Sequence, residues 1–226
     1  MIDHIQYFIS IWPELFKGLA VSLELSVGAL LLGLVIGLPM ALMRTYGKGI
    51  VKAFAVGYIE LIRGTPMIVQ LFLIYYGLPD LGILLDRVPA AIIALGINSS
   101  AYQAEYFRGA ILSIDEGQGL AAQALGMTKR QAILNIILPQ ALRLVIPPWS
   151  NEVIYMVKYT SVAFLIAVPE LMARGKMIIS QTFKPLETLF WVGVIYIIVL
   201  SIIAKVVDII EKKLAIPGFQ MSREDF

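Results

Sequence analysis

Residues 17–44, KGLAVSLELSVGALLLGLVIGLPMALMR, hold a single charge, Glu24, between their two basic ends. A helix advances about 1.5 Å per residue, so about 20 mostly apolar residues cross a hydrocarbon layer of about 30 Å, and this run is long enough. It is too long for the apolar core of a signal peptide, and no small-residue cleavage site closes it. Gly28, Gly33 and Gly37 recur along it and suit the close approach of a second helix. Four further runs have the same character, at about residues 54–79, 88–112, 138–168 and 186–205. The second is interrupted by Gly64-Thr65-Pro66, where proline removes a helix hydrogen bond and pushes its neighbour towards extended geometry, so a kink is expected there. The fifth is expected to continue as a helix beyond the membrane.

The rest of the composition agrees. Of the 226 residues 59% are hydrophobic and only 15% charged, with a mean hydropathy of +0.82. About a quarter of an ordinary soluble domain is charged, so this chain could not coat a water-facing surface without large apolar patches. It reads as an all-α integral membrane protein of about five transmembrane helices, a single domain over residues 1–226 with one long loop at about 113–139. The net charge of +2 gives no reason to expect nucleic acid. Without cysteine, and with His4 as the one histidine, thiol chemistry and a histidine-based metal or catalytic centre are excluded. No paired carboxylates or activated nucleophile suggest an enzyme.

Lysine and arginine placement gives the orientation. With the N-terminus outside, twelve cations fall on the inner side, among them Arg44, Lys48, Arg63, Arg108, Lys129, Arg130 and Arg223. Five fall outside and Lys158 lies within a span. The arrangement is N-out and C-in, in a multi-pass protein of the cell (inner) membrane. No internal repeat is evident, and an odd number of spans argues against an inverted duplication. A transport pathway therefore calls for a second subunit.

Ionisable groups inside a span are expensive and mark functional hypotheses. At about 100° per residue, Asn98, Tyr102, Glu105, Tyr106 and Gly109 share one face of the third span, and Asn151, Glu152, Tyr155, Lys158 and Tyr159 share one face of the fourth. Facing each other, the two stripes would line a wet cavity with both an anionic and a cationic group, suited to a zwitterion. The Asn and Tyr residues would serve equally as hydrogen-bond glue between helices, and Glu152 could simply pair with Lys158. Glu60 and Arg63, at i, i+3, read as a local ion pair.

In the long loop, residues 120–125 favour helix, and Gly126 stands where a helix C-cap takes positive φ. Thr128, with Gln131 three residues on, has the spacing of a capping box opening a second helix. Ala121, Ala122 and Ala124 would leave a surface with little side-chain bulk, rimmed by Lys129 and Arg130, that a partner could approach closely. The same loop could instead pack only against its own spans.

Three blocks carry a resemblance across nearly the whole chain: Glu60-Leu-Ile-Arg-Gly-Thr-Pro66 followed by Gln70, Ala101-Tyr-Gln-Ala-Glu105 with Arg108-Gly109, and the loop residues Gly117, Gln118, Ala121, Ala122, Gly126, Ile136, Leu138 and Pro139. Together they resemble the membrane permease subunit of a type I ATP-binding-cassette importer, in the branch that carries polar amino acids of the histidine, glutamine and arginine type. Two positions depart from that pattern. Leu120 stands where the family has glutamate, so that residue's contact is not carried over. Tyr159 stands where relatives commonly have an acid, which leaves the charge class of the substrate open.

The resemblance implies that the loop is a coupling helix, with Leu120, Ala121, Ala122, Gly126, Met127 and Thr128 meeting the ATPase. It implies an ATP-binding-cassette ATPase, a second permease subunit and an extracytoplasmic amino acid-binding protein as partners. No cofactor belongs to this chain; ATP and magnesium would sit in the ATPase, since no phosphate-binding loop is present here. Asn98, Tyr102, Glu105, Lys158, Ser161 and Gln70 are the expected substrate contacts. From a different class, a carrier driven by an ion gradient would use Glu105 and Lys158 as relay groups.

Overall fold

The apolar run that opens the sequence belongs to a longer helix than its hydropathy marks. In the computed structural model, which describes residues 2–214, α1 covers Ile2–Tyr46. At 45 residues it is about 67 Å long, more than twice the hydrocarbon thickness. It starts well before residue 17 because Ile11 and Leu15 continue the apolar face. They pack with Leu19 against Leu171, Ile178, Val192 and Ile195, which belong to the last two helices of the chain.

The helices that follow are α2 (Gly49–Gly64), α3 (Met67–Phe72), α4 (Arg87–Leu112), α5 (Glu116–Ala124), α6 (Lys129–Ala132), α7 (Leu138–Leu144), α8 (Ile146–Tyr159), α9 (Leu171–Thr182) and α10 (Pro185–Leu214). A π-turn and a 3₁₀ turn extend α3 to Leu81, a π-turn joins α6 to α7, and a 3₁₀ segment extends α8 to Ile166. Among the described residues there is no strand. Arg223, counted above among the inner cations, lies outside the described residues.

α4 is the central helix, touching α1, α2, α3, α7 and α8. Its buried face is built from small residues, including Ala90, Ala94, Gly96, Ser99, Ser100 and Ala104. The glycines of α1 meet that face as the sequence predicts. A methyl group added at Gly37 would lie 2.7 Å from the Ser100 carbonyl oxygen, one at Gly28 would lie 3.1 Å from the Ile92 side chain, and one at Gly33 would run into the Gln103 amide.

Two more of the expected spans are corrected. The second is a break rather than a kink: α2 and α3 meet at 103° across Thr65-Pro66. Arg44, two residues from the end of α1, reaches Glu60, eleven residues into α2, so α2 runs across the helix ends before α3 turns away. The fourth begins earlier, at Lys129, and bends by 52° between Leu144 and Ile146. Pro147 and Pro148 are the cause, because neither can donate the hydrogen bond that would continue the helix from Arg143 and Leu144.

The segment between the fourth and fifth expected spans contains α9. Buried Glu170 caps it, accepting the Met172 N–H at 2.8 Å and the Ala173 N–H at 2.7 Å. Ser22 of α1 and Tyr196 of α10 also donate to this carboxylate, at 3.4 and 3.5 Å, so the cap ties three helices together. The third and fifth spans fall where the sequence places them, and α10 does continue past residue 205.

Candidate functional site

The loop at residues 113–139 folds as a helix, a glycine turn and a helix. Asp115 opens α5 by accepting the Gly117 N–H at 2.6 Å. The helix ends in a Schellman turn, with the Gly126 N–H donated to Gln123 and the Met127 N–H to Ala122. Gly126 has φ +88°, a conformation that side chains rarely tolerate. Thr128 and Gln131 form the expected capping box, with Gln131 Oε1 accepting the Thr128 N–H at 2.8 Å and Thr128 Oγ1 accepting the Gln131 N–H at 3.3 Å.

One residue of the bare surface is corrected. Ala122 is buried beneath α5, while Ala121, Ala124 and Thr128 are exposed and Met127 is half-buried. Leu120 and Leu125 flank Ala121 and Ala124, 67% and 83% open. The element therefore presents two unpartnered leucines around a low alanine patch.

The polar stripe of α4 faces α2, α3 and α8. Asn98 Nδ2 donates to Gln70 Oε1 at 3.2 Å, while Gln70 Nε2 donates to the Ile62 and Thr65 carbonyls at 2.8 and 2.9 Å. Gln70 thereby satisfies the backbone that the α2–α3 break leaves open. The Arg63 guanidinium lies 5.5 Å above the Tyr102 ring. Glu105 gathers three arginines from three helices: Arg108 Nη2 at 2.9 Å, Arg44 Nη1 at 3.3 Å and Arg63 Nη1 at 4.0 Å. The expected Glu60–Arg63 pair is absent; Glu60 pairs with Arg44 at 3.0 Å instead.

The two stripes meet only at Tyr106 and Glu152 and do not line a common cavity. Glu152 alone of its stripe turns inward, 7% exposed, and accepts from Ser99 Oγ at 2.6 Å and Tyr106 OH at 3.3 Å. Ser99 in turn accepts from Gln103, whose oxygen accepts the Trp149 indole N–H at 2.9 Å. Glu152 thus pairs with no lysine. Asn151, Tyr155, Lys158 and Tyr159 lie on the exposed face of α8. The division follows from helix geometry: at about 100° per residue Glu152 stands at the margin of the arc, about 20° beyond Tyr159. Lys158 Nζ rests 4.3 Å above the Tyr155 ring, and Ser161 Oγ donates to the Lys158 carbonyl at 2.7 Å. Among the described residues no carboxylate lies within 4.0 Å of Lys158.

Sequence reasoning missed the arginine set around Glu105, which assembles from three separate helices. It also missed the Gln103–Trp149 link and the α9 cap. Only the cap had a local signal, an acidic residue directly before a helix.

A helical membrane bundle with a hydrogen-bonded polar network between α4 and α8, a lysine on the open face of α8 and a protruding helix-turn-helix element fits a class, the membrane-embedded permease subunit of a transporter. Residues 10–215 match the family described as binding-protein-dependent transport system inner membrane component, and the chain belongs to that family. It is 41% identical over 214 residues to the glutamine transport system permease protein GlnP of Escherichia coli K12, covering 92% of this chain and 97% of that one. It is 39% identical over 215 residues to the probable amino-acid permease protein YxeN of Bacillus subtilis 168, covering 94% of this chain and 96% of that one. A crystal structure of an amino acid ATP-binding-cassette transporter with histidines superposes with a TM-score of 0.86 at 36% identity, covering 92% and 97% of the two chains. The chain is therefore a permease subunit of an ATP-binding-cassette importer and not an enzyme, which sets aside the ion-gradient carrier.

Proposed function

We propose that this subunit imports a polar amino acid across the inner membrane, N-terminus out and C-terminus in, as half of a permease pair. Its solute path runs along the exposed face of α8, closed by the second permease subunit. Lys158 carries this reading: an ammonium on the open side of a membrane helix, with no acid beside it, is costly in lipid and calls for a polar neighbour outside the chain. Lys158 and Ser161 are the solute contacts, Lys158 suiting a carboxylate. Asn98, Tyr102, Glu105 and Gln70, whose polar groups or rings already have partners within the chain, shape the path.

A separate ATP-binding-cassette ATPase, holding ATP and magnesium, engages Leu120, Ala121, Gly126, Met127 and Thr128, with Ala122 supporting them from beneath. The two exposed leucines support an apolar groove as its receptor. An extracytoplasmic binding protein delivers the amino acid, as the family description implies. ATP shifts the spans only by binding the outward and inward states unequally.

Uptake by the complete transporter in proteoliposomes tests the path. Lys158→Met is expected to raise the KM for solute at least about tenfold, equivalent to 1.4 kcal/mol of lost interaction. Unchanged kinetics would remove Lys158 from the path.

A further inference from the structure

Beside the end of α1 lies an open recess of about 550 Å³ with two distinct surfaces. Leu42, Ile133 and Leu134 form an apolar wall, and exposed Lys48, Lys129 and Arg130 stand around it. Tyr46 completes the lining, with Lys129 Nζ 5.8 Å above its ring. Among the described residues no acidic side chain lines the recess, and none of the three cations has a carboxylate within 4.0 Å. Lys48 is also the N-cap of α2, where no side chain caps the helix, so the amides of the first turn add a partial positive charge beside it.

We propose that this recess binds the headgroup of an anionic phospholipid, with Leu42, Ile133 and Leu134 taking the upper part of an acyl chain. Three unpaired cations match a phosphate and its negative surroundings, and a basic pocket between helices at the inner membrane face is suited to an anionic headgroup. The apolar wall favours a lipid over free phosphate, which has nothing to place against leucine. Position agrees, because the recess sits where α1, a helix long and apolar enough to cross a membrane, ends. The leaflet depends on the orientation proposed above, whereas binding itself depends on neither that orientation nor the cargo.

The transporter, purified in detergent and stripped of lipid, can be exposed to phosphatidylglycerol or phosphatidylcholine and its retained lipid counted by native mass spectrometry. Phosphatidylglycerol should be retained at least about tenfold over phosphatidylcholine. Each cation near an anionic surface is worth about fivefold, so Lys48→Gln with Arg130→Gln should lower retention about 25-fold, while Lys52→Gln, on the same helix but outside the recess, should leave it unchanged. Leu134→Glu provides a second variant, lowering retention by setting a carboxylate in the wall. Millimolar phosphate should not displace the lipid. Equal retention of the two lipids, wild-type retention in both variants, or displacement by phosphate would overturn the proposal. So would a double variant that keeps its lipid but loses its ATPase, which would assign the face to that partner.

Discussion

Glu105→Gln changes shape little and charge completely, at a carboxylate shared by Arg44, Arg63 and Arg108. The glutamine keeps one acceptor oxygen for Arg108 but leaves three guanidinium groups crowded around a neutral side chain. Removing one partner of a fully buried ion pair costs about 3–5 kcal/mol, whereas exposed pairs are worth under about 1 kcal/mol. Glu105 is only 16% exposed while Arg63 is 41% exposed, so the site lies between these limits. A cost of about 2–3 kcal/mol follows from weighing the two. In a chain of this length about 1 kcal/mol moves the melting temperature by roughly 2–4 °C, so a fall of about 5–10 °C is expected. Intrinsic tryptophan fluorescence of the purified permease in detergent reports it. Adding Arg108→Gln to the Glu105→Gln background should recover part of the loss, because it removes the nearest uncompensated charge. A melting temperature within 1 °C of wild type, with strictly additive effects of the arginine variants, would refute the shared-carboxylate reasoning.

Two further outcomes follow from backbone geometry. Gly37→Leu forces atoms into a space where even a methyl group meets the Ser100 carbonyl at 2.7 Å; at about 1–3 kcal/mol for overpacking, it should lower the same melting temperature by several degrees, whereas Gly57→Leu, with nothing within 4 Å of the added atom, should not. Gly126→Ala puts a methyl group on a residue with φ +88° at a cost of about 1 kcal/mol, so amide exchange at Gly126 and Met127 should quicken about fivefold while the α4 amides keep their protection.

What the sequence reveals here depends on how locally each feature is encoded. Gly126, Thr128 and Gln131 announce their turn and cap within six residues, and the structure forms both. Gly28, Gly33 and Gly37 recur within ten residues of a single helix, and each finds its partner on α4. Gly64-Thr65-Pro66 marks where the second span breaks, but at its 103° bend Gln70 holds the exposed Ile62 and Thr65 carbonyls, and Asn98 of α4 holds Gln70, a contact made through tertiary structure. Pro147-Pro148 does announce a bend, yet the apolar run on either side hides it. Helical arithmetic groups Asn151, Glu152, Tyr155, Lys158 and Tyr159 correctly as neighbours. It cannot say which way their arc points, and that direction separates an internal cavity from an outer face.

That direction also explains why Glu152 and Lys158, six residues apart, live in different environments. Glu152 is held by Ser99 and Tyr106, and through Ser99 it joins a chain that ends at Trp149, so the interior needs no further ligand. Among the described residues Lys158 has only the Tyr155 ring and its own carbonyl's bond to Ser161. On the function proposed above, this contrast suits a subunit that lines a path shared with a second permease chain. On that same proposal, this helical run is the link to the ATPase. From Lys129 to Tyr159 the chain is helical through its bend, and at about 1.5 Å per residue it reaches roughly 40 Å from the Gly126 turn to the exposed stripe. A tilt of about 10° applied at that turn would carry the far end by about 7 Å on this length, a gap the size of an amino acid side chain, and because Trp149 and Glu152 tie α8 to α4 the Gln103–Glu152 network stays whole only where α4 tilts with it.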